Sequence, residues 1–245
     1  MRAPNPYDDL YIYLIDGTVS EDDEALLGHA YLGNWVEGDS SFLFFREKSD
    51  KSVDRMLAGR PDIGLIERHQ FTYDQWQGRG LAPMKIGAFL IAPPWTDMVP
   101  AQGMIHIRLD PGVVFGNCLH PTTRHCLKAL SWARGQRELG SVLDLGTGTG
   151  ILALASAFLG ARSVLAVDLN PLCVKTAKAN VAQNGLEGVI QVVEGPVENF
   201  VNEPADLVAA NIHYEIIREL LRKRRFGEGE RFILSGLMRS AARDV

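Results

Sequence analysis

One stretch constrains this chain more than any other: Ser141-Val-Leu-Asp-Leu-Gly-Thr-Gly-Thr-Gly-Ile-Leu-Ala-Leu-Ala155. It reads as a buried strand, a glycine turn and the start of an apolar helix, and a second apolar run, Val164-Leu-Ala-Val167, ends in Asp168. A strand that enters a helix through such a turn, with a further apolar strand behind it, predicts a parallel sheet with helices against its faces. Gly146, Gly148 and Gly150 flank Thr147 and Thr149 in the turn. Without a Cβ, these glycines let the backbone fold tightly beneath a ligand and present N–H groups at a helix N-terminus.

Spacing narrows the ligand. Dinucleotide-binding turns read G-x-G-x-x-G, whereas the glycines here fall as G-x-G-x-G and Ile151 stands at the third dinucleotide position. Asp144, at the end of the first strand, places a carboxylate where a cationic amine can bind and a pyrophosphate would be repelled. Asp168, with Leu169 beside it, can accept hydrogen bonds from both hydroxyls of a ribose. An amine at one end and an unphosphorylated ribose at the other match S-adenosylmethionine.

From residue 141 onward the pattern alternates. Apolar runs 142–145, 164–167, 189–193, 206–210 and 232–237 serve as strands, with helices expected over 149–160, 171–184 and about 212–224. The piece after Val193 is too short and polar to assign. Ligands of such a sheet bind at the carboxyl ends of its strands. Those ends carry Asp144, Asp168, the run Glu194-Gly195-Pro196-Val197, suited to holding an adenine, and Asn211, whose side-chain carbonyl can orient an incoming nitrogen.

Residues 1 to about 75 read as a small α+β domain. Tyr11–Ile15 is a strand, Ser20 caps a helix placed over Ala25 to Ala30, and a hairpin turns at Gly38-Asp39. Ser49 caps a second helix with Val53, Met56 and Leu57, and Ile63 to Phe71 closes the set. This β-α-β-β-α-β order suggests a ferredoxin-like sandwich. Residues 76–110 read as a linker and connecting strand, Lys85 to Ile91, with Trp76 and Trp95 as aromatic anchors between domains or as cleft walls. Residues 111–245 form the cofactor-binding domain.

Between these lies Asp110-Pro-Gly-Val-Val-Phe-Gly-Asn-Cys-Leu-His-Pro-Thr-Thr-Arg-His-Cys-Leu-Lys-Ala-Leu130, a loop feeding a helix that begins at Pro121. Cys118, His120, His125 and Cys126 do not follow zinc-ligand spacing, so no metal is expected and buried thiols are the better reading. The cysteines lack a C-x-x-C pair, which argues for reduced thiols and a cytoplasmic setting. No apolar run approaches the roughly 18 residues of a membrane span, and the N-terminus is polar and acidic, so neither a membrane segment nor a signal peptide is expected. A net charge of −5 offers no footprint for nucleic acid and suits a basic partner. The run Arg222-Lys-Arg-Arg225 is assigned to complementing a helix C-terminus.

Taken together, these residues resemble the ribosomal protein methyltransferase (PrmA) family, class I enzymes with a Rossmann-like fold that methylate lysine and N-terminal amines of ribosomal protein L11. The resemblance rests on Asp110-Pro-Gly, Phe115-Gly, His120-Pro-Thr-Thr-Arg124, Leu143-Asp-Leu-Gly-Thr-Gly-Thr-Gly-Ile-Leu152, Val167-Asp168, Asn180, Asn184-Gly185 and Ala210-Asn-Ile212. It implies that the small domain recognises a basic protein substrate and that Phe115 and Thr123 lie at the cofactor. It also implies in-line methyl transfer to a neutral amine beside Asn211. His120 and His213 are candidates for proton transfer, against a capping or surface role. Where the family reads Phe-Gly-Thr-Gly-Thr-His, this chain has Phe115-Gly-Asn-Cys-Leu-His120, which leaves a cofactor-binding module without turnover as the rival reading. A methyltransferase for another protein or a small-molecule amine is a further alternative. The family continues beyond the position of Val245, so either a truncated end or an unusually short sheet is expected.

Overall fold

The computed structural model describes residues 8–78, 81–99, 101–114, 116–224 and 229–236. Phe115, Arg225 and Leu237, each part of a sequence expectation, lie outside them. The chain divides into two compact units, Met1–Leu81 and Ala82–Val245.

In the first unit, β1 (Asp9–Asp16), β2 (Tyr31–Glu37), β3 (Ser40–Phe45) and β4 (Gly64–Thr72) form an antiparallel sheet in the order β2-β3-β1-β4. This is the ferredoxin-like arrangement. Alternation along the strands sends Tyr13, Ile15, Leu43 and Phe45 to one face, where they pack against Val53 and Met56 of α2 (Asp50–Ala58). Gly38, at φ +59°, makes the hairpin turn.

Two local expectations are corrected. The helix after Ser20 is α1 (Glu21–Glu24) alone, closed into a capping box by Ser20 and Asp23, and it does not run over Ala25 to Ala30. Leu27 and Ala30 are drawn separately into the core, and Gly28 at φ +82° turns the chain between them. Ser49 precedes α2 without a side-chain cap; its hydroxyl donates to the Glu47 carbonyl instead. Trp76, at the end of α3 (Tyr73–Trp76), packs edge-on against Phe44 at 5.3 Å within this same unit.

The second unit opens with three strands where one was expected. β5 (Met84–Ile86) and β6 (Phe89–Ala92) form a hairpin, because Gly87 at φ +57° breaks the run from Lys85 to Ile91. β7 (Ile105–Arg108) pairs parallel to β6. Ile86, Phe89, Ile91 and Ile107 are buried in this unit's core.

The main sheet consists of β8 (Ser141–Leu145), β9 (Ser163–Asp168), β10 (Ile190–Glu194), β11 (Leu207–Asn211) and β12 (Arg231–Ser235), all parallel in the order β10-β9-β8-β11-β12. The order reverses between β8 and β11, which is the topological switch point where ligands of such sheets bind. One face packs Val142, Val164, Ala166 and Ala209 against α4 (Pro121–Gln136), α5 (Ile151–Phe158) and α6 (Pro171–Gln183). The other packs Leu143, Leu145, Val167 and Val208 against α7 (Tyr214–Lys223) and a single 3-10 turn, Val197–Asn199. That turn is the segment whose sequence carried no period. With only a turn there, a groove lined in part by Leu165, Gln191, Glu203 and Pro204 remains over the amino halves of the strands. It holds none of the expected site residues, which gather at the opposite end of the sheet.

Candidate active site

The glycine turn is held from below by the strand beside it. Gly146 and Thr147 donate their N–H groups to the Val167 carbonyl at 2.8 and 2.9 Å, Gly150 donates to the Thr147 carbonyl, and Gly148 donates to Asp168 Oδ2 at 2.9 Å. Gly146, Gly148 and Gly150 all have positive φ, which an L side chain adopts at a cost. The expectation that this turn presents free N–H groups is therefore corrected: four of them are consumed internally. A turn so saturated is no phosphate cradle.

Asp144 is fully buried at the end of β8. Its Oδ2 accepts from Thr147 Oγ1 at 2.6 Å and from the Ala153 N–H at 3.1 Å, which pins the turn to the first residues of α5. Its Oδ1 is buried and has no partner among the described residues. Burial pushes the carboxyl up to about 6, against the two hydrogen bonds and with a further push from Asp168. A buried carboxylate oxygen without a donor is costly, and an ammonium group is the partner that offsets the most.

Asp168 closes β9 half-buried. Besides the Gly148 N–H it accepts the Asn170 N–H at 3.0 Å through Oδ1 and a hydrogen bond from the Cys173 thiol. A carboxylate offers about four lone-pair directions, so one ribose hydroxyl fits directly and a second must displace the weak thiol donor. Leu169 is 65% exposed and Pro196 is exposed, so both can cover a base, whereas Val197 points into the core of the second sheet face. The Gly195 N–H donates to the Asp168 carbonyl, tying this loop to the end of β9.

Asn211 ends β11 half-buried, across the switch point from the glycine turn, and its Nδ2 donates to Thr123 Oγ1 at 3.3 Å. Thr123 is 1% exposed and lies on the buried face of α4 beside Asn211. His120 is the N-cap of α4, accepting the Thr122 N–H through its ring, and its Nδ1 lies 2.6 Å from Thr122 Oγ1. His213 stands exposed at the N-cap position of α7.

The loop ahead of α4 is built into the core. Cys118 adopts φ +65°, a region L residues avoid, and is completely buried; its carbonyl accepts from Arg124 Nε at 2.9 Å. Burial drives its thiol up to about 12, and Cys126 and Cys173 are likewise raised by burial, so these are unreactive core thiols. Among the described residues no cluster could hold a metal. The adjoining Gly116 carbonyl accepts from Thr149 Oγ1, so this loop touches the glycine turn directly.

Asn180 belongs to the framework of this end of the sheet, a role its place in a sequence motif does not reveal. Completely buried on α6, it donates to the carbonyls of Asp110 and Thr149 and accepts the Asp110 N–H, all within 2.8 to 2.9 Å. An asparagine between Ala177 and Val181 on an otherwise apolar helix face was the available signal.

Comparison with known proteins identifies the arrangement. The family model described as ribosomal protein L11 methyltransferase (PrmA) matches residues 63–245. The chain belongs to the PrmA family. It is 40% identical over 201 residues to the ribosomal protein L11 methyltransferase of Desulforamulus reducens, covering 79% of this chain and 65% of that protein. It is likewise 40% identical over 191 residues to that of Geobacillus kaustophilus, covering 76% of this chain and 61% of that protein. The chain thus spans less than two thirds of the length of these PrmA relatives. Among solved structures, the ribosomal protein L11 methylase of Lactobacillus delbrueckii subsp. bulgaricus matches with a TM-score of 0.59 and 33% identity, over 66% of this chain and 84% of that one. S-adenosylmethionine is the cofactor this family implies, and the orphaned Asp144 oxygen, the half-buried Asp168 carboxylate and the phosphate-averse turn fit it.

Proposed function

We propose that this chain is a methyltransferase that uses S-adenosylmethionine to methylate lysine or N-terminal amines of a basic protein, ribosomal protein L11. The observation that carries the reading is the buried, partnerless Oδ1 of Asp144 beside a glycine turn whose own donors are consumed. When bound, S-adenosylmethionine supplies a methyl carbon already activated by its sulfonium. Asp144 would hold the amine of the methionine part, Asp168 the ribose, and Leu169 and Pro196 the base.

Asn211 would orient the acceptor, its carbonyl oxygen taking an N–H so that the nitrogen lone pair points at the reacting carbon. Positioning of this kind supplies much of the rate when the donor is already activated. A lysine ammonium, with a pKa ordinarily near ~10.4, must arrive neutral, and desolvation with a neighbouring positive charge lowers that value. A strong base is not required. His120 acts as a helix cap in this reading and His213 as a surface residue, so neither is needed for proton transfer.

The first unit is assigned to recognition of the protein substrate. Among the described residues no helix is long and apolar enough to cross a membrane, and the reading places the enzyme in the cytoplasm with its substrate. The basic run at the end of α7 is assigned no nucleic acid, since Lys223 pairs with Glu219 and Arg224 with Glu230. Labelled methyl transfer from S-adenosylmethionine into purified L11 and into a ribosomal protein fraction tests the proposal. Label in L11 supports it. Label only in another protein reassigns the substrate, binding by calorimetry without any transfer favours the module without turnover, and no binding to folded protein rejects the site.

A further inference from the structure

Strands β8, β11 and β12 lie side by side, and the residue that leaves β11 touches the residue that leaves each of the other two. A Cβ built on Gly146, just past β8, would lie 2.1 Å from Ile212 Cγ2, and one built on Gly236, just past β12, would lie 2.0 Å from the Ile212 carbonyl oxygen. The branch methyl of Ile212 therefore rests on the first glycine of the cofactor turn, and its peptide is backed by the second glycine. Both glycines have positive φ, +72° and +94°. Side chains alternate along β11, with Val208 and Ala210 on the α7 face and Ala209 on the other. Ile212 packs with the first set, so Asn211 belongs to the second.

One contact thus joins the two halves of the reaction. Gly146 adjoins Thr147, whose hydroxyl is bonded to Asp144, so the turn and the carboxylate assigned to the cofactor ammonium form one piece. Gly146 cannot shift to take up slack, because its N–H is bonded to the Val167 carbonyl at 2.8 Å. On the other side, Ile212 is the chain neighbour of Asn211, the residue assigned to the acceptor. A β-branched side chain is stiff at χ1, so its Cγ2 methyl is a spacer of fixed length rather than adaptable filling. In-line transfer tolerates little error in that length, since a misplacement of about 1 Å can cost ~100-fold in rate.

We propose that Ile212 is a positioning residue for methyl transfer: its branch methyl, seated on Gly146, sets the distance between the cofactor turn and Asn211, and so between the methyl carbon and the acceptor amine. The inference rests on the methyl-transfer reading above.

The test uses the full chain as wild type, Ile212→Val and Ile212→Leu. Valine keeps the branch methyl and loses Cδ1; leucine keeps the number of carbons and loses the branch at Cβ. Steady-state methylation of L11 should show kcat lowered about 10-fold or more in Ile212→Leu and held within about 3-fold in Ile212→Val. Affinity for S-adenosylmethionine by calorimetry, and KM for L11, should stay within about 3-fold in both. A residue that only fills the core would rank the two the other way, because valine leaves a cavity and leucine conserves volume. Equal kcat in the two variants, a lower kcat in the valine variant, or a loss of cofactor affinity equal to the loss of rate overturns the proposal.

A second readout does not depend on turnover. Gly146→Ala should weaken binding of S-adenosylmethionine by a factor at least about 10-fold smaller in an Ile212→Ala background than in wild type, because the methyl it collides with is gone. The same loss in both backgrounds shows that Ile212 does not bear on the turn and overturns the proposal. A wild type that shows this coupling but methylates nothing rejects the methyl-transfer reading while leaving the contact standing, so the two failures are distinguishable.

Discussion

The two ends of the parallel sheet use the same residue type in opposite ways. At the amino end Asp206 accepts the Ser141 N–H at 2.7 Å and the Ser141 hydroxyl at 3.0 Å, and pairs with Arg162 at 3.5 Å. Those bonds, the Ser141 backbone first, hold its carboxyl below the usual range. At the carboxyl end Asp144 keeps one oxygen without a partner among the described residues, and burial raises its carboxyl to about 6. One end spends its polar atoms on holding strands together. The other leaves an oxygen of Asp144 and an oxygen of Asn211 without a hydrogen bond among the described residues, at a cost in stability.

The sharpest way to break this contrast is Gly146→Ala. The residue has φ +72° and a Cβ there would collide with Ile212 Cγ2, next to Asn211. Strain and displacement at the ligand-facing end together should lower affinity for S-adenosylmethionine by about 100-fold or more in calorimetry, with a smaller loss of melting temperature. Asp168→Ala should follow, at about 10-fold to 100-fold in the same titration, since it removes the ribose acceptor and the bond that shapes Gly148. Unchanged affinity in either variant would show that the pocket lies elsewhere.

Asp144→Asn separates charge from shape. The folded carboxyl titrates above its unfolded value, so the folded state binds the extra proton between about pH 4 and 6, and wild-type stability falls as pH rises through that window and stays reduced above it. The cost above pH 6 is on the order of 2–3 kcal/mol. Thermal melts should therefore show the variant gaining on wild type from pH 5 to pH 7. Its affinity for the cationic cofactor should be flat with pH, while that of wild type weakens about 10-fold as pH falls through 6 and the carboxylate is neutralised. Parallel pH curves for the two proteins would contradict the assignment of the ammonium to Asp144.

At the amino end, Asp206→Asn should lower the melting temperature by only a few degrees and leave cofactor affinity alone. The sign of its pH dependence is the reverse: a depressed folded pKa means that its contribution is present above the normal carboxylate range and is lost as pH falls. The smallest effect is expected for Cys118→Gly. Relief of the positive φ, worth about 1 kcal/mol, is offset by loss of a buried side chain, so the melting temperature should move by no more than about 3 °C. A large rise would show that the loop is strained, and a large fall that the thiol is a core anchor.

Reading the chain alone located the strands of the four-stranded and five-stranded sheets well because each is bounded by turns and follows a burial period. It failed where short pieces obey tertiary demands. α1 stops at Glu24 because Leu27 and Ala30 are needed in the core, and the run from Lys85 to Ile91 folds back because one glycine adopts φ +57°. In the site, Asp144, Asp168 and Asn211 were legible as polar residues at the ends of apolar runs. Asn180 was not, since its partners Asp110 and Thr149 lie far away along the chain.

What the residues determined by themselves was the order of strands and helices, the glycine turn beside two carboxylates, and with them the class of ligand and the family. Those follow from local periods and from chemistry carried within a few neighbouring positions. Only the tertiary structure decided how those groups are employed: that the turn's N–H groups are consumed, that one oxygen of Asp144 has no partner among the described residues, that Asn211 donates to the buried Thr123 hydroxyl. Such outcomes depend on which atoms the sheet brings within 3 Å of each other, and no spacing along one chain encodes that directly.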